Sequence, residues 1–428
     1  MKKSFRIFLG VVVFGCFWAA VIVTAYYVAA YHDKDDPVVH DDSMRVNGPK
    51  LPQDLNGYYY LLKAKDLVVQ SDNTQLSNQK LAAFLEKGDP ATAAALKNLI
   101  KSNEGVLRLC EMADRCQRFQ KVRVNSMQDP FWHYRWLIDL ERLRINRAYY
   151  WFHEGKEKQA FNELFHVIAL GRRCEDSDGS LTTVAAGITF QRMGWKTIRV
   201  FLAYTRLDES TLLDFLQASE NFTVDTNGMG NAFRLEYLVA ADVIDQKAAG
   251  KIPLFYEPFP ELPHARILLK TNRTKNKMVD RFQELIDDTS RPFEQQLSRQ
   301  NEHWQRKMWP VLFTTNPFGE ASLITMTYGW DLALAAKCVA NVDGAATQTL
   351  LALKAWQVKN HDLPDSLDAL APRYIDHLPL DDFTGQPLLY SKSRKVIWAS
   401  IEQPPELDRA PAGFSTIRDD SLIFRIPF

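Results

Sequence analysis

Few acids and histidines in this chain stand at catalytic spacings. His153-Glu154 opens like the His-Glu-x-x-His of a zinc protease, in which two histidines one helical turn apart hold the metal and the glutamate activates water. Gly155, Lys156 and Glu157 follow, so the second ligand is absent. Glu163 and His166 have the i, i+3 spacing of a carboxylate-bridged di-metal centre, which needs two such pairs and further glutamates on facing helices; one pair is present. Asp287-Asp288 and Asp381-Asp382 are adjacent acids, and sequence neighbours rarely converge on one bond as paired-carboxylate hydrolysis requires. No Gly-x-Ser-x-Gly elbow, phosphate loop or dinucleotide fingerprint occurs, and Asn227-Gly-Met-Gly reads as a loop. Cys110, Cys116, Cys174 and Cys338 lack Cys-x-x-Cys spacing, so zinc and thioredoxin-type chemistry have no support. These residues nominate no catalytic, cofactor-binding or metal site, and an enzyme is expected only if its groups converge from distant parts of the chain.

Lysines and arginines number 52, equal to aspartates and glutamates, so the chain is neutral and nucleic acid is not an expected partner. The elements that must position any site begin with residues 7–31, an uncharged apolar run opening at Ile7 and closing at Tyr31. As one helix it spans a hydrocarbon core of about 30 Å. Lys2, Lys3 and Arg6 precede it; Asp33, Asp35 and Asp36 follow. The positive-inside rule keeps residues 1–6 in the cytoplasm and sends the remainder across, into the periplasm of an inner-membrane protein. A cleaved signal peptide is the alternative, since Val28-Ala29-Ala30 offers a small-residue site, but its apolar region would be shorter. Cys16 sits too early in the run for a lipoprotein box, and Gly10 is not followed by the acid that a prepilin stem carries.

Residues 32–55 are rich in Asp, Pro, Gly and Asn without apolar period and read as a tether. Apolar residues three and four apart then predict helices through 56–255 and again through 256–360, divided by the proline cluster at 252–263. Gly88-Asp89-Pro90 reads as a helix stop followed by a start. Within 131–152, Trp136, Leu140, Leu143 and Tyr150 share a face interrupted by Arg147, while Glu141, Arg142 and Arg144 fall off it and are expected in water. Lys270, Arg273, Lys275 and Lys277 form a basic face that is likewise expected to be solvated. The long helical stretch 321–360 is expected to kink near 341–344. Short strands are predicted near 388–391, 395–400 and 421–425. The fold class expected is mainly α: an N-terminal transmembrane helix, an irregular helical-hairpin body and a small antiparallel β module over 361–428.

Three resemblances accompany this reading. Ala148, Trp151, Gly155, Ala160, Leu164 and Val167 resemble the hairpin positions of a tetratricopeptide repeat: Gly155 makes the turn, Ala160 admits the second helix, and Trp151 and Leu164 fill the seam. Arg144 stands where that repeat has its tryptophan, and the likeness covers one repeat. Leu363, Pro364, Leu367, Leu370, Leu378, Pro379, Asp381, Phe383, Gly385, Pro387 and Tyr390 resemble the C-terminal module of the major pseudopilins of type II secretion systems, with Asp382 in place of a proline and Thr384 inserted. That resemblance implies turn-making roles, with Asp381 and Thr384 capping amides and Gly385 at positive φ. It also implies a calcium loop, but residues 400–408 lack the Asp-Gly pattern and the six or more oxygens the ion needs. The pieces at 268–277, 316–319, 363–372 and 419–428 are similar to a group of uncharacterised, membrane-anchored helical bacterial proteins, which implies fold and compartment and no chemistry.

The expectation is a non-enzymatic, single-pass membrane protein whose helical periplasmic region is a scaffold for protein partners, with no cofactor. An envelope hydrolase with a scattered site and an accessory component of a secretion system are the alternatives.

Overall fold

Helices make up most of the described chain. The computed structural model describes residues 2–46, 51–69, 78–116, 118–120, 135–177, 179–222, 228–254, 265–296, 314–327, 330–399 and 422–428. Among these are thirteen α-helices and one three-stranded antiparallel sheet, a mainly α architecture with a small C-terminal β module. In chain order the helices are α1 (Lys2–His32), α2 (Gly57–Lys65), α3 (Asn78–Lys87), α4 (Pro90–Ser102), α5 (Glu104–Arg115), α6 (Arg135–His153), α7 (Glu157–Glu175), α8 (Leu181–Leu202), α9 (Glu209–Glu220), α10 (Gly228–Ala248), α11 (Thr271–Asp288), α12 (Pro317–Thr327) and α13 (Trp330–Asn360). Gly228 and Gly230, read from sequence as loop, open α10; Asn227 and the 400–408 segment lie outside the described residues.

Helix α1 has 31 residues, about 46 Å at 1.5 Å per residue, against the roughly 30 Å of a hydrocarbon core. Its Phe14–His32 stretch is long and apolar enough to cross a membrane, a description that also fits a signal sequence. Its C-terminal end packs on the rest of the fold. Tyr26, Tyr27 and Ala30 pack with Leu254, Leu268, Leu269 and Phe318, while the Tyr26 hydroxyl donates to Thr314 O at 2.6 Å and Lys270 Nζ to Ala30 O at 2.6 Å.

The stretch expected as a tether is instead bound to α10 and α11. Asp33 accepts two bonds from Arg273, at 2.7 and 3.1 Å, and one from Thr315. Asp35 accepts from the backbone amides of Asn272 and Arg273, both at 2.9 Å. Tyr237 donates to Asp41 at 3.1 Å, Arg234 to Ser43 O at 3.1 Å, and Met44 is buried. The basic face of α11 is therefore not simply solvated: Lys270 and Arg273 hold the anchor, Lys275 pairs with Asp245, and Lys277 with Glu320.

Helices α6, α7 and α8 form consecutive hairpins, and α13 lies across α8 and α9. Gly155, at φ +74°, ends α6, with Lys156 N returning to Trp151 O at 2.8 Å. Helices α7 and α8 approach closely: a Cβ on Gly171 would stand 2.6 Å from Gly187 O. Ala148, Ala160, Leu164 and Val167 are fully buried in the same core, and Trp151 is half-buried beneath Arg147. α13 runs unbroken through 341–344, where Gly344 faces the Trp195 indole. Strands β1 (Leu389–Ser391), β2 (Val396–Trp398) and β3 (Ile423–Arg425) pair in the order β1-β2-β3. Ile397 and Phe424 point inward into the core that also holds Leu350, Leu353 and Phe201. The apolar cores thus run through the expected boundaries at 256 and 361.

Candidate functional site

The residues flagged by spacing do not converge. His153 is exposed and lies against the Phe84 ring, 4.4 Å between centroids, and Glu154 is exposed at the turn. Asp287 is exposed while Asp288 is fully buried. Asp381 is buried inside its own turn: its carboxylate accepts from Phe383 N and Thr384 Oγ1, both at 3.0 Å, and Gly385, at φ +71°, donates its amide to Asp381 O at 2.7 Å. Asp382 instead accepts from Asn341 of α13 at 2.9 Å. Pro364, Leu367 and Leu370 are buried, and Pro364 O receives the Tyr390 hydroxyl at 2.7 Å. Leu380 bridges Pro387, and Phe383 packs edge-on against Phe293. Leu378 and Pro379 line the cleft described below.

Glu163 does not face His166. It belongs to a buried ion cluster between α5, α6 and α7, where it accepts from Arg144 Nε at 2.8 Å and from Arg147 Nη2 at 2.7 Å on each oxygen. Arg144 also holds Asp114 with two bonds, at 2.7 and 3.3 Å, and Arg147 bonds Glu111 at 2.8 Å. His166 is half-exposed, its Nδ1 3.6 Å from Asp114. The expectation that Glu141 and Arg144 lie in water is overturned: both are 0% exposed. The cause is charge pairing across three helices, which lets arginine enter a core that it could not enter alone. Burial alone would lower the Arg144 pKa, but Glu163, Asp114 and Glu141 together raise it. Burial would raise the Glu163 pKa, but Arg144 and Arg147 hold it low. Glu141 is different. Its nearest cation, Arg144 Nη1, is 3.8 Å away, neither oxygen has a hydrogen-bond partner, and burial pushes its pKa up to about 8. This cluster reads as a structural joint whose centre, Arg144, Glu163 and Glu141, is buried while Glu111 reaches the surface.

An opening among the described residues lies elsewhere. A cleft of about 560 Å³ lies between α13 and the turn at 375–382, with the middle of α8, the C-terminal end of α9 and the residues after α11 as its other walls. α13 contributes one face over three turns: Lys337, then Ala340, Asn341, Gly344 and Ala345, then Gln348. Lys337 Nζ donates to Thr289 O at 3.3 Å, next to Ser290 and Arg291. Behind the other end, Arg172 donates to Phe222 O at 2.7 Å and to Glu175 at 2.9 Å, and Gln191 donates to Glu175 at 2.7 Å. Asp376 and Glu220 are exposed at the mouth. Ser290 Oγ donates to Asp287 O at 3.1 Å, so it is turned to backbone and not to a base. Most polar walls are thus engaged with one another, an arrangement that can hold a ligand and positions no nucleophile. Gln348 is 4% exposed and its Nε2 has no partner among the described residues.

The five cysteines are all in thiol form. Burial pushes Cys110 up to about 12 and raises Cys338 as well, so both are unreactive core groups.

Sequence reasoning missed the cleft because its walls come from elements up to two hundred residues apart. No sequence signal marked it: Ala340, Gly344 and Ala345 are small, but the same helix buries Ala335, Ala346, Ala352 and Ala355 in its core. No protein-family model, curated protein or solved structure matches the chain.

Proposed function

We propose that this chain is a single-pass inner-membrane protein, N-terminus inside, whose helical periplasmic body is a scaffold that holds a protein partner at a fixed height above the bilayer. The observation that supports it is the docking of residues 26–44 on α10–α12, which makes the apolar helix and the body one unit instead of two parts on a leash. The basic residues before the apolar run and the acids after it support the orientation. We place the partner segment in the cleft beside α13, an opening lined by Gln348, whose buried Nε2 has no partner among the described residues.

Photo-crosslinking in cells tests this reading. A photoreactive residue replacing Asp376 at the cleft mouth gives a discrete higher-mass adduct at native expression, and one replacing the exposed Lys101 of α4 does not. Monomer alone from Asp376, or equal adducts from both positions, overturns it.

A further inference from the structure

The length of α1 and the place where the body grips it together fix how close the body stands to lipid. Ile7 opens the uncharged run, and counted from there α1 has risen about 30 Å, the depth of a hydrocarbon core, at Tyr26. Residues 14–25 are exposed, whereas Tyr26, Tyr27 and Ala30 pack against the body. Ala30 lies about 6 Å beyond Tyr26, and the headgroup layer on each side of a bilayer is about 5–7 Å deep. The contact between α1 and the body thus falls at the level of the headgroups. Tilt of the helix shortens its reach along the bilayer normal and draws the body nearer still. The bonds from Tyr26 to Thr314 O, from Lys270 to Ala30 O and from Arg273 to Asp33 hold the two together at this level.

The part of the body that meets α1 has the chemistry of a membrane interface. Leu254, Leu268, Leu269 and Phe318 form its apolar centre, with Ala248 and Ile267 half-buried at the edge. Lys251 and Pro253 are exposed between Ala248 and Leu254, and the exposed Arg266 lies against Gly250. A lysine beside apolar groups lays its stem along them and carries its ammonium to the phosphates. On α1, Val28 and Tyr31 are 51% and 70% exposed at the same level, where an interfacial aromatic belongs. The acids that follow the anchor are occupied: Asp33 by Arg273, Asp35 by the amides of α11, and Asp36 by Asn276.

Resting on the single-pass reading above, we infer that the body does not stand clear of the membrane: its face at residues 248–254 and 266–269 is seated beside α1 in the phospholipid headgroups of the periplasmic leaflet, with the Lys251 ammonium at the level of the phosphates.

Bimane fluorescence of the full chain in nanodiscs tests this. Single labels are placed at Lys251→Cys, at Pro253→Cys on the same face, at Ile22→Cys within α1 and at Lys101→Cys of α4, in a Cys16→Ser, Cys116→Ser background. The discs carry phosphatidylcholine with a nitroxide either on the headgroup or on the acyl chain. The expected result is loss of most of the fluorescence at positions 251 and 253 with the headgroup nitroxide, loss at position 22 with the acyl-chain nitroxide, and no loss at position 101 with either. If position 22 is quenched while 251 and 253 behave like 101, the body stands clear of lipid; the seating falls and the single-pass reading stands. If position 22 is not quenched by the acyl-chain nitroxide, the single-pass reading falls and takes the seating with it.

Discussion

Asp35 caps a helix that begins far away in sequence: its carboxylate accepts from Asn272 N and Arg273 N, both at 2.9 Å, at the N-terminus of α11. The residue in the local cap position, Lys270, has no oxygen to offer and turns its ammonium to Ala30 O instead. The cap is thus delivered by the segment that follows the anchor, and helix stability and anchor position depend on the same bonds.

Removing that cap costs about 0.5–2 kcal/mol, the usual value of an N-cap carboxylate. Asp35→Ala therefore lowers the denaturant midpoint modestly, and it also opens residues 33–46. Trypsin reaches Lys34 and Arg45 faster in Asp35→Ala and in Arg273→Ala than in wild type. Equal cleavage rates contradict the clamp.

The clamp is insensitive to physiological pH. Hydrogen bonds from Arg273 and then Thr315 hold Asp33 at about 2, below its ordinary 3.8. A carboxylate lowered in the folded state contributes fully above its unfolded value and is lost as pH falls through the folded one. Protection of residues 33–46 from proteolysis is therefore constant from pH 8 down to pH 5, read with a broad-specificity protease active across that range.

Glu141 has the opposite sign. Its folded value of about 8 lies above the ordinary 4.5, so its favourable contribution is complete below 4.5 and is lost as pH rises through 8. At about 1.4 kcal/mol per pH unit the loss amounts to a few kcal/mol. Glu141→Gln keeps the shape without the charge; it leaves stability nearly unchanged at pH 5 and raises it at pH 8.5, read as denaturant midpoints.

Breaking the buried cluster is costly in either direction. Glu163→Gln leaves Arg144 and Arg147 facing a neutral amide, and Arg144→Met leaves Glu163 and Asp114 without their main cation. Each loses about 3–5 kcal/mol. Glu163→Gln combined with Arg144→Met recovers part of that loss in a double-mutant cycle.

The C-terminal turn gives a local test. Asp381→Ala removes acceptors for Phe383 N and Thr384 Oγ1, and Gly385→Ala places a side chain at φ +71°, where its Cβ would also stand 3.2 Å from Pro292. Each lowers stability by about 1–3 kcal/mol. Because Phe293 N and Glu294 N bond Asp382 O and Phe383 O, each also loosens the segment that carries Arg291 at the cleft.

The sequence disclosed what short-range physics controls. Uncharged length marks α1, three-to-four spacing marks the body helices, Gly88-Asp89-Pro90 punctuates α3 and α4, and alternation in Val396–Trp398 marks a strand. It did not disclose what depends on convergence. Arg147 interrupting an apolar face was a visible sign of a buried cation, but its mates Glu111 and Glu163 come from the neighbouring helices. A segment rich in Asp, Pro and Gly looks like a tether by composition, and only its pairing with Arg273 and Asn272 makes it a fixed part of the fold. Gln348 is an ordinary helix residue until α8, α9 and the 375–382 turn close around it.

The union of α1 with the body follows from the Asp33–Arg273 clamp, and one distance measurement tests it most directly. Spin labels at Tyr31→Cys and Asp287→Cys, in a Cys16→Ser, Cys116→Ser background, report on the exposed end of the anchor and the far end of α11. α11 is 18 residues, about 27 Å long, so pulsed electron resonance in nanodiscs should give one narrow distribution near about 30 Å, broadened by Arg273→Glu. A broad distribution in the wild-type protein, as a free tether gives, would contradict the union of anchor and body.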